Sequence, residues 1–115
     1  FFELPNSPAM GRDGNTPDWV QHIAFKVGSV QALEETKAKL EAAGIPVVGI
    51  TDHTIFKSIY FFDPNGHRLE LVCDIGTPDM YKKLDDVKWA MLDEWSRTKR
   101  APKHAQWMHE AELAR

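Results

Sequence analysis

His22 and Glu70 are the two side chains of this 115-residue chain whose types and placement suit divalent-metal chemistry. Each stands inside a run of alternating polarity. Ile23, Phe25 and Val27 take one face against His22, Ala24 and Lys26, and Leu69, Leu71 and Cys73 oppose Arg68, Glu70 and Val72. If both strands belong to one curved sheet, an imidazole and a carboxylate point into the same concave surface, where they can share a cation. The plain alternative is a solvated sheet face on which the two are exposed or paired with each other. Tyr60 lies in an aromatic run with Ser58 and Phe62 on its face. Its hydroxyl can donate to a ligand or oxyanion, or it can be an ordinary half-buried tyrosine. His53, beside Asp52 in a polar stretch, is a candidate acid or base near neutral pH, or a surface histidine.

The remaining reactive residue types offer less. His67 follows a turn glycine and stands at a strand mouth, while His104 and His109 fall in solvated company near the end of the chain. Cys73, the single cysteine, sits on an apolar face and reads as an inert core thiol. No glycine-rich phosphate loop, paired-cysteine metal knuckle or nucleophile elbow is present.

The elements that must position these residues follow from the pattern. Val20 to Val27 predicts a strand. Ser29 caps a helix whose stripe of Val30, Leu33, Lys37 and Leu40 runs to about Ala43, where Gly44 and Pro46 stop it. Pro46 to Ile50 predicts a short strand, Thr51 to Thr54 a polar turn, and Phe56 to Phe62 a strand. Asp63-Pro64-Asn65-Gly66 is a turn tetrapeptide, and His67 to Asp74 makes the return strand. The order is strand, helix and three strands, an α+β arrangement.

Flanking segments differ in character. Residues 5–18 hold three prolines and two each of glycine, asparagine and aspartate, which is loop chemistry. Phe1-Phe2-Glu3-Leu4 reads as the tail of a strand whose partner is missing, so the chain is expected to be part of a longer product or to borrow its other half from a second copy, with Met10 an internal start. Thr77-Pro78-Asp79 opens a helix carrying Met80, Leu84, Val87, Met91 and Trp95 to about Arg97. Pro102 starts a shorter candidate helix with Trp107, Met108, Ala111 and Leu113. The aromatics Trp89, Trp95 and Trp107 suggest packing against a sheet or a partner chain. Three regions result: 1–18, the end of a preceding module and a linker; 19–75, a βαβββ module; and 76–115, a C-terminal helical extension.

The run Trp19-Val20-Gln21-His22-Ile23-Ala24-Phe25, the helix closing at Ala43-Gly44, Asp52-His53, and Ser58-Ile59-Tyr60-Phe61-Phe62-Asp63-Pro64-Asn65-Gly66-His67-Arg68-Leu69-Glu70-Leu71 together resemble the vicinal oxygen chelate superfamily of glyoxalases, bleomycin-resistance proteins and extradiol dioxygenases. The resemblance implies a cup built from two βαβββ modules, with metal ligands on first and last strands. His22 and Glu70 match those positions. Glu3 then falls near the carboxylate position of the first module, with its register open by one residue. The further histidine that ring-cleaving dioxygenases take from the preceding module has no counterpart here. The resemblance also implies a catalytic Tyr60, an acid–base role for His53, a small-molecule substrate and a homodimer that completes the cup. A divalent metal follows, Fe(II) before manganese, nickel, zinc or magnesium.

Composition narrows the class. At 43% apolar and 27% charged, with a formal charge of -3, the chain can bury a core and lacks the basic surface of a nucleic-acid binder. No run approaches a membrane span, no signal peptide opens the sequence, and the one cysteine suits a reducing, cytoplasmic setting. The leading expectation is a metal-dependent dioxygenase or lyase acting on a small oxygen-chelating substrate, aromatic ones included. The alternatives are a metal-free binding protein for a small or drug-like molecule, with Phe62 and the tryptophans stacking on it, and an inactive half-domain.

Overall fold

The computed structural model describes residues 2–9, 11–100 and 103–108. Four strands and two α-helices follow in the order β1 (His22–Lys26), α1 (Val30–Ala42), β2 (Val48–Asp52), β3 (Phe56–Phe62), β4 (Arg68–Asp74) and α2 (Pro78–Thr98), and a 3₁₀ segment over Lys103–Met108 comes last. The strands form one sheet in the order β1-β4-β3-β2. β1 runs parallel to β4, and the other two pairings are antiparallel. The βαβββ order read from the sequence is the order observed.

Local chemistry explains the helix ends. The Ser29 hydroxyl accepts from the Ala32 amide at 3.1 Å and starts α1. Gly44, at φ +78°, ends it. There the Ile45 amide reaches the Leu40 carbonyl and the Gly44 amide reaches that of Glu41, a double closure that needs a left-handed residue. α1 lies on one face of β3 and β4. Leu33, Ile59 and Cys73 are buried between them, with Val30, Leu40, Val47, Ile50 and Leu71 packed around. Because side chains alternate across a strand, Ile59, Leu71 and Cys73 in the core leave Ser58, Tyr60 and Glu70 on the other face.

Several boundaries differ from the sequence expectation. No strand forms over residues 2–4. β1 starts at His22 rather than Val20, whose amide instead closes a turn on the Pro17 carbonyl. β2 runs later than expected, taking in Thr51 and Asp52, which pair with Ser58 and Lys57. The cause is a bulge between Gly49 and Thr51, which shifts the register and carries the polar pair into the ladder. Phe1, Met10, Pro102, His109, Ala111 and Leu113 lie outside the described residues.

The tail also differs. α2 matches its expected span, but its stripe of Met80, Leu84, Val87 and Met91 is only half-buried, and none of its residues is fully buried. Trp89 is 72% exposed and Leu92 54%. The expected second helix is a short 3₁₀ segment kinked at Ala105. It is tethered to the β2–β3 turn, where the Thr54 hydroxyl donates to the Met108 carbonyl at 2.8 Å. The accessible surface is 8967 Å², against about 6,400 Å² for a compact chain of this mass.

Candidate metal and ligand site

β1 and β4 place His22 and Glu70 side by side. They are not direct register partners: His22 pairs with Arg68, and Glu70 with Ala24. Their side chains bridge that offset, with His22 Nε2 3.1 Å from Glu70 Oε2. Each is held from behind. His22 Nδ1 lies 3.2 Å from the Trp19 carbonyl, an acceptor that fixes the proton on Nδ1 and leaves Nε2 facing Glu70. Glu70 is 6% exposed and accepts a 2.5 Å hydrogen bond from the Ser58 hydroxyl through Oε1.

This arrangement fits a divalent cation. Two ligands at right angles with bonds of about 2.1 Å stand about 3 Å apart, close to the 3.1 Å observed. A neutral imidazole nitrogen and a buried carboxylate are a donor set for iron, manganese or zinc. Among the described residues no group of three potential ligands forms. Glu3 therefore joins no such group with His22 and Glu70, and it lies on an exposed, irregular segment.

Tyr60 and His53 come together beside the pair. Tyr60 is the register partner of Glu70, and its ring meets that of His22 edge-on at 5.8 Å. Its hydroxyl is 2.9 Å from His53 Nε2. The turn that carries His53 closes with its own amide on the Phe56 carbonyl, and the His53 ring packs 4.7 Å from that of Phe56. The Tyr60 hydroxyl is held above the ordinary tyrosine value, first by burial and next by the negative charge of Glu70, while Ser58 and Arg68 act against the rise. The phenol is thus neutral, and a donor, across the physiological range.

Three participants were not assigned a role from sequence. Ser58 is fully buried and orients Glu70. Arg68 lies over the Tyr60 ring at 4.6 Å, and Arg12 over the Phe62 ring at 5.3 Å. Ser58 and Arg68 were within reach of period-two reasoning, since each stands two residues before a flagged side chain. Arg12 sits in a loop with no periodicity and gave no signal. At the mouth of β1 and β4 is a cavity of about 380 Å³ bordered by Arg12, Gln21, His22, His67 and Arg68 together with part of the 11–18 loop. His67 thus stands at the strand mouth as expected. His104 instead pairs with Glu94 on α2, at 3.2 Å.

Among solved structures, similarity is found to the integron cassette protein HFX_CASS4 from the mobile metagenome of the Halifax Harbour sewage outfall, at 38% identity over 46% of this chain and 47% of that one, with a TM-score of 0.42. It is also found to FosX, the genomically encoded fosfomycin resistance protein of Listeria monocytogenes, at 29% identity over 52% of this chain and 49% of that one, with a TM-score of 0.43. The matches span about half the length of either solved chain. No curated protein matches. The profile of the Glyoxalase/Bleomycin resistance protein/Dioxygenase superfamily matches residues 2–71, which include both β1 and the Glu70 half of β4, and the chain belongs to that superfamily.

Proposed function

We propose that the chain is a metal-dependent enzyme of this superfamily, a dioxygenase or lyase acting on a small molecule that presents adjacent oxygens. The observation that carries the reading is the 3.1 Å approach of His22 Nε2 to Glu70 Oε2, with a hydrogen bond fixing each partner from behind. His22 and Glu70 are the residues that would hold the metal. Bound there, a divalent ion supplies Lewis acidity toward vicinal oxygens, and iron adds redox chemistry. Fe(II) is the first choice for this donor set, ahead of manganese, nickel, zinc and magnesium.

The chain's own side chains do the rest. Ser58 holds the Glu70 carboxylate in one orientation. The Tyr60 phenol stays protonated and supplies a hydrogen bond where negative charge develops on the substrate. The His53–Tyr60 contact decides where that proton points. With Nε2 protonated, His53 donates to the phenol oxygen and the phenol proton turns toward the ligand; with Nε2 bare, the phenol donates to His53.

Two ligands are half of a site. A second copy of the chain, facing this one across the sheet, completes the cup and its ligand set, and the roughly 2,600 Å² of surface in excess of a compact chain supports such pairing. Glu3 remains a ligand in this proposal, reached by that assembly rather than within one chain. The regions 1–18, 19–75 and 76–115 then act as linker, site-bearing module and helical extension. The setting proposed is the cytoplasm; no helix among the described residues is long and apolar enough to cross a membrane.

One observation favours a second reading. Among the described residues His22 and Glu70 contact each other directly with no third ligand, as they would in a metal-free binding protein for a small molecule. Metal content and native mass of the purified chain decide between the two. Stoichiometric metal that disappears in Glu70→Ala and in His22→Ala is the expected result, with one metal per dimer marking a shared cup. No metal after reconstitution with Fe(II), Mn(II), Ni(II), Zn(II) or Mg(II) overturns the enzyme reading and leaves the binding protein.

A further inference from the structure

We propose that Arg12 and Arg68 form an oxyanion site at the mouth of β1 and β4, taking a carboxylate or phosphoryl group of a small molecule whose other end reaches His22. Assigning that group to the substrate rests on the metal reading above; the oxyanion site itself stands on the arginines.

Both guanidiniums stack on neighbouring rings. Arg68 lies over Tyr60, and Arg12 lies over Phe62, the register partner of Arg68. Arg12 crosses the turn glycine, its Nη2 3.2 Å from where a Cβ on Gly66 would stand. A guanidinium held over a ring keeps N–H donors that the ring does not use, and these can serve an oxyanion. The two side chains border the same cavity as His22.

Arg68 Nε is buried with no hydrogen-bond acceptor. A buried donor left so is destabilising, and an oxyanion drawn in beside it would satisfy it. Neither arginine pairs with a carboxylate among the described residues, although acids are close by. Of the two that border the cavity, Asp13 is already engaged, accepting from the Thr16 hydroxyl at 2.7 Å and the Asn15 amide at 3.1 Å. Asp18 is the other, and its charge opposes an anion. The cavity volume of about 380 Å³ suits a compact ligand rather than a polymer.

The test is titration of the full chain, freed of metal by chelation, with inorganic phosphate and with acetate at constant ionic strength, read by calorimetry and by the Arg68 Nε–H resonance. The expected result is a shifted Nε–H signal and a dissociation constant that rises at least about tenfold in both Arg68→Gln and Arg12→Gln, and falls in Asp18→Asn. Arg12 is on an exposed loop, so its substitution leaves the sheet intact. Stronger binding of phosphate assigns a phosphoryl group, and stronger binding of acetate a carboxylate. Equal affinity in wild type and both arginine variants, or no shift at Arg68 Nε–H, overturns the proposal. Metal uptake is read separately on untreated protein. If wild type takes no metal yet binds phosphate through the arginines, the metal reading falls and the oxyanion site stands.

Discussion

The Tyr60 hydroxyl lies 2.9 Å from His53 Nε2, and the Tyr60 ring meets that of His22 at 5.8 Å. One tyrosine therefore links the His22–Glu70 pair to the turn between β2 and β3. That turn is also where the chain's tail attaches. The Thr54 hydroxyl donates to the Met108 carbonyl, and the Tyr81 hydroxyl of α2 donates to the Ile55 carbonyl at 3.2 Å. The helical extension and the His53–Tyr60 contact thus meet at one turn.

The raised Tyr60 hydroxyl has a readable consequence. The phenolate component of an absorbance titration, taken as wild type minus Tyr60→Phe, is expected to have its midpoint above the ordinary value of about 10. Glu70→Gln brings the midpoint part of the way back, because burial, the larger cause, remains. Between the unfolded and native values the unfolded chain has released this proton and the native chain has kept it. The stability contributed is therefore whole below about pH 10 and is lost as pH rises through the native value. A midpoint at or below that of free tyrosine would contradict the placement of Tyr60 beside Glu70.

Ser58 carries the second expectation. Its hydroxyl holds Glu70 Oε1 at 2.5 Å, behind the oxygen that faces His22. Ser58→Ala should weaken metal affinity by about 10- to 100-fold while leaving the stoichiometry unchanged, as loss of an outer hydrogen bond does at other metal sites. Competition with a chelating dye measures this. Unchanged affinity would mean that Ser58 does not orient the carboxylate.

The order of elements was legible because it depends on short-range patterns. Ser29 and Gly44 bounded α1 to within a residue, and alternation separated the two faces of each strand, while it took the sheet's register to bring His22, Tyr60 and Glu70 together. What could not be read depended on contacts between strands. Thr51 and Asp52 have turn chemistry, yet they enter β2 because the bulge after Gly49 aligns them with Ser58 and Lys57. The Phe2–Leu4 run has strand propensity but no strand; β-propensity in the absence of a neighbour gives no ladder. The site shows the same limit. His22 and Glu70 were visible by residue type, whereas Arg12 reaches the cavity from a loop whose path no periodicity describes.

Gly49 allows a sharp comparison with Gly44. Both have positive φ, +106° and +78°. A Cβ on Gly49 would stand 2.5 Å from the Ser58 carbonyl oxygen, whereas one on Gly44 would meet nothing within 4 Å. Gly44→Ala should cost about 1 kcal/mol, from backbone conformation alone. Gly49→Ala should cost about 3 kcal/mol or more, because backbone must also move. The damage lies next to Ser58, so metal affinity should fall with it. Urea denaturation of the two variants measures the difference, and equal costs would mean the bulge is absent.

Leu33 and Trp89 separate the packed part of the chain from the exposed face of α2. Leu33 is wholly buried between α1 and the sheet, in contact with Ile59 and Cys73, while Trp89 on α2 is 72% exposed. Leu33→Ala removes buried methyl groups and leaves a cavity in a small core, so it should cost about 3 kcal/mol, enough to unfold a marginal domain. Trp89→Ala in the single chain touches little and should fall within about 0.5 kcal/mol. The second number depends on what covers α2. If a copy of the chain packs there, Trp89→Ala lowers the melting temperature by an amount that grows with protein concentration, because a partner that binds only the folded form stabilises it by mass action. Melting curves at low and high protein concentration distinguish the cases: a cost that stays small at both means that α2 makes no self-contact through Trp89.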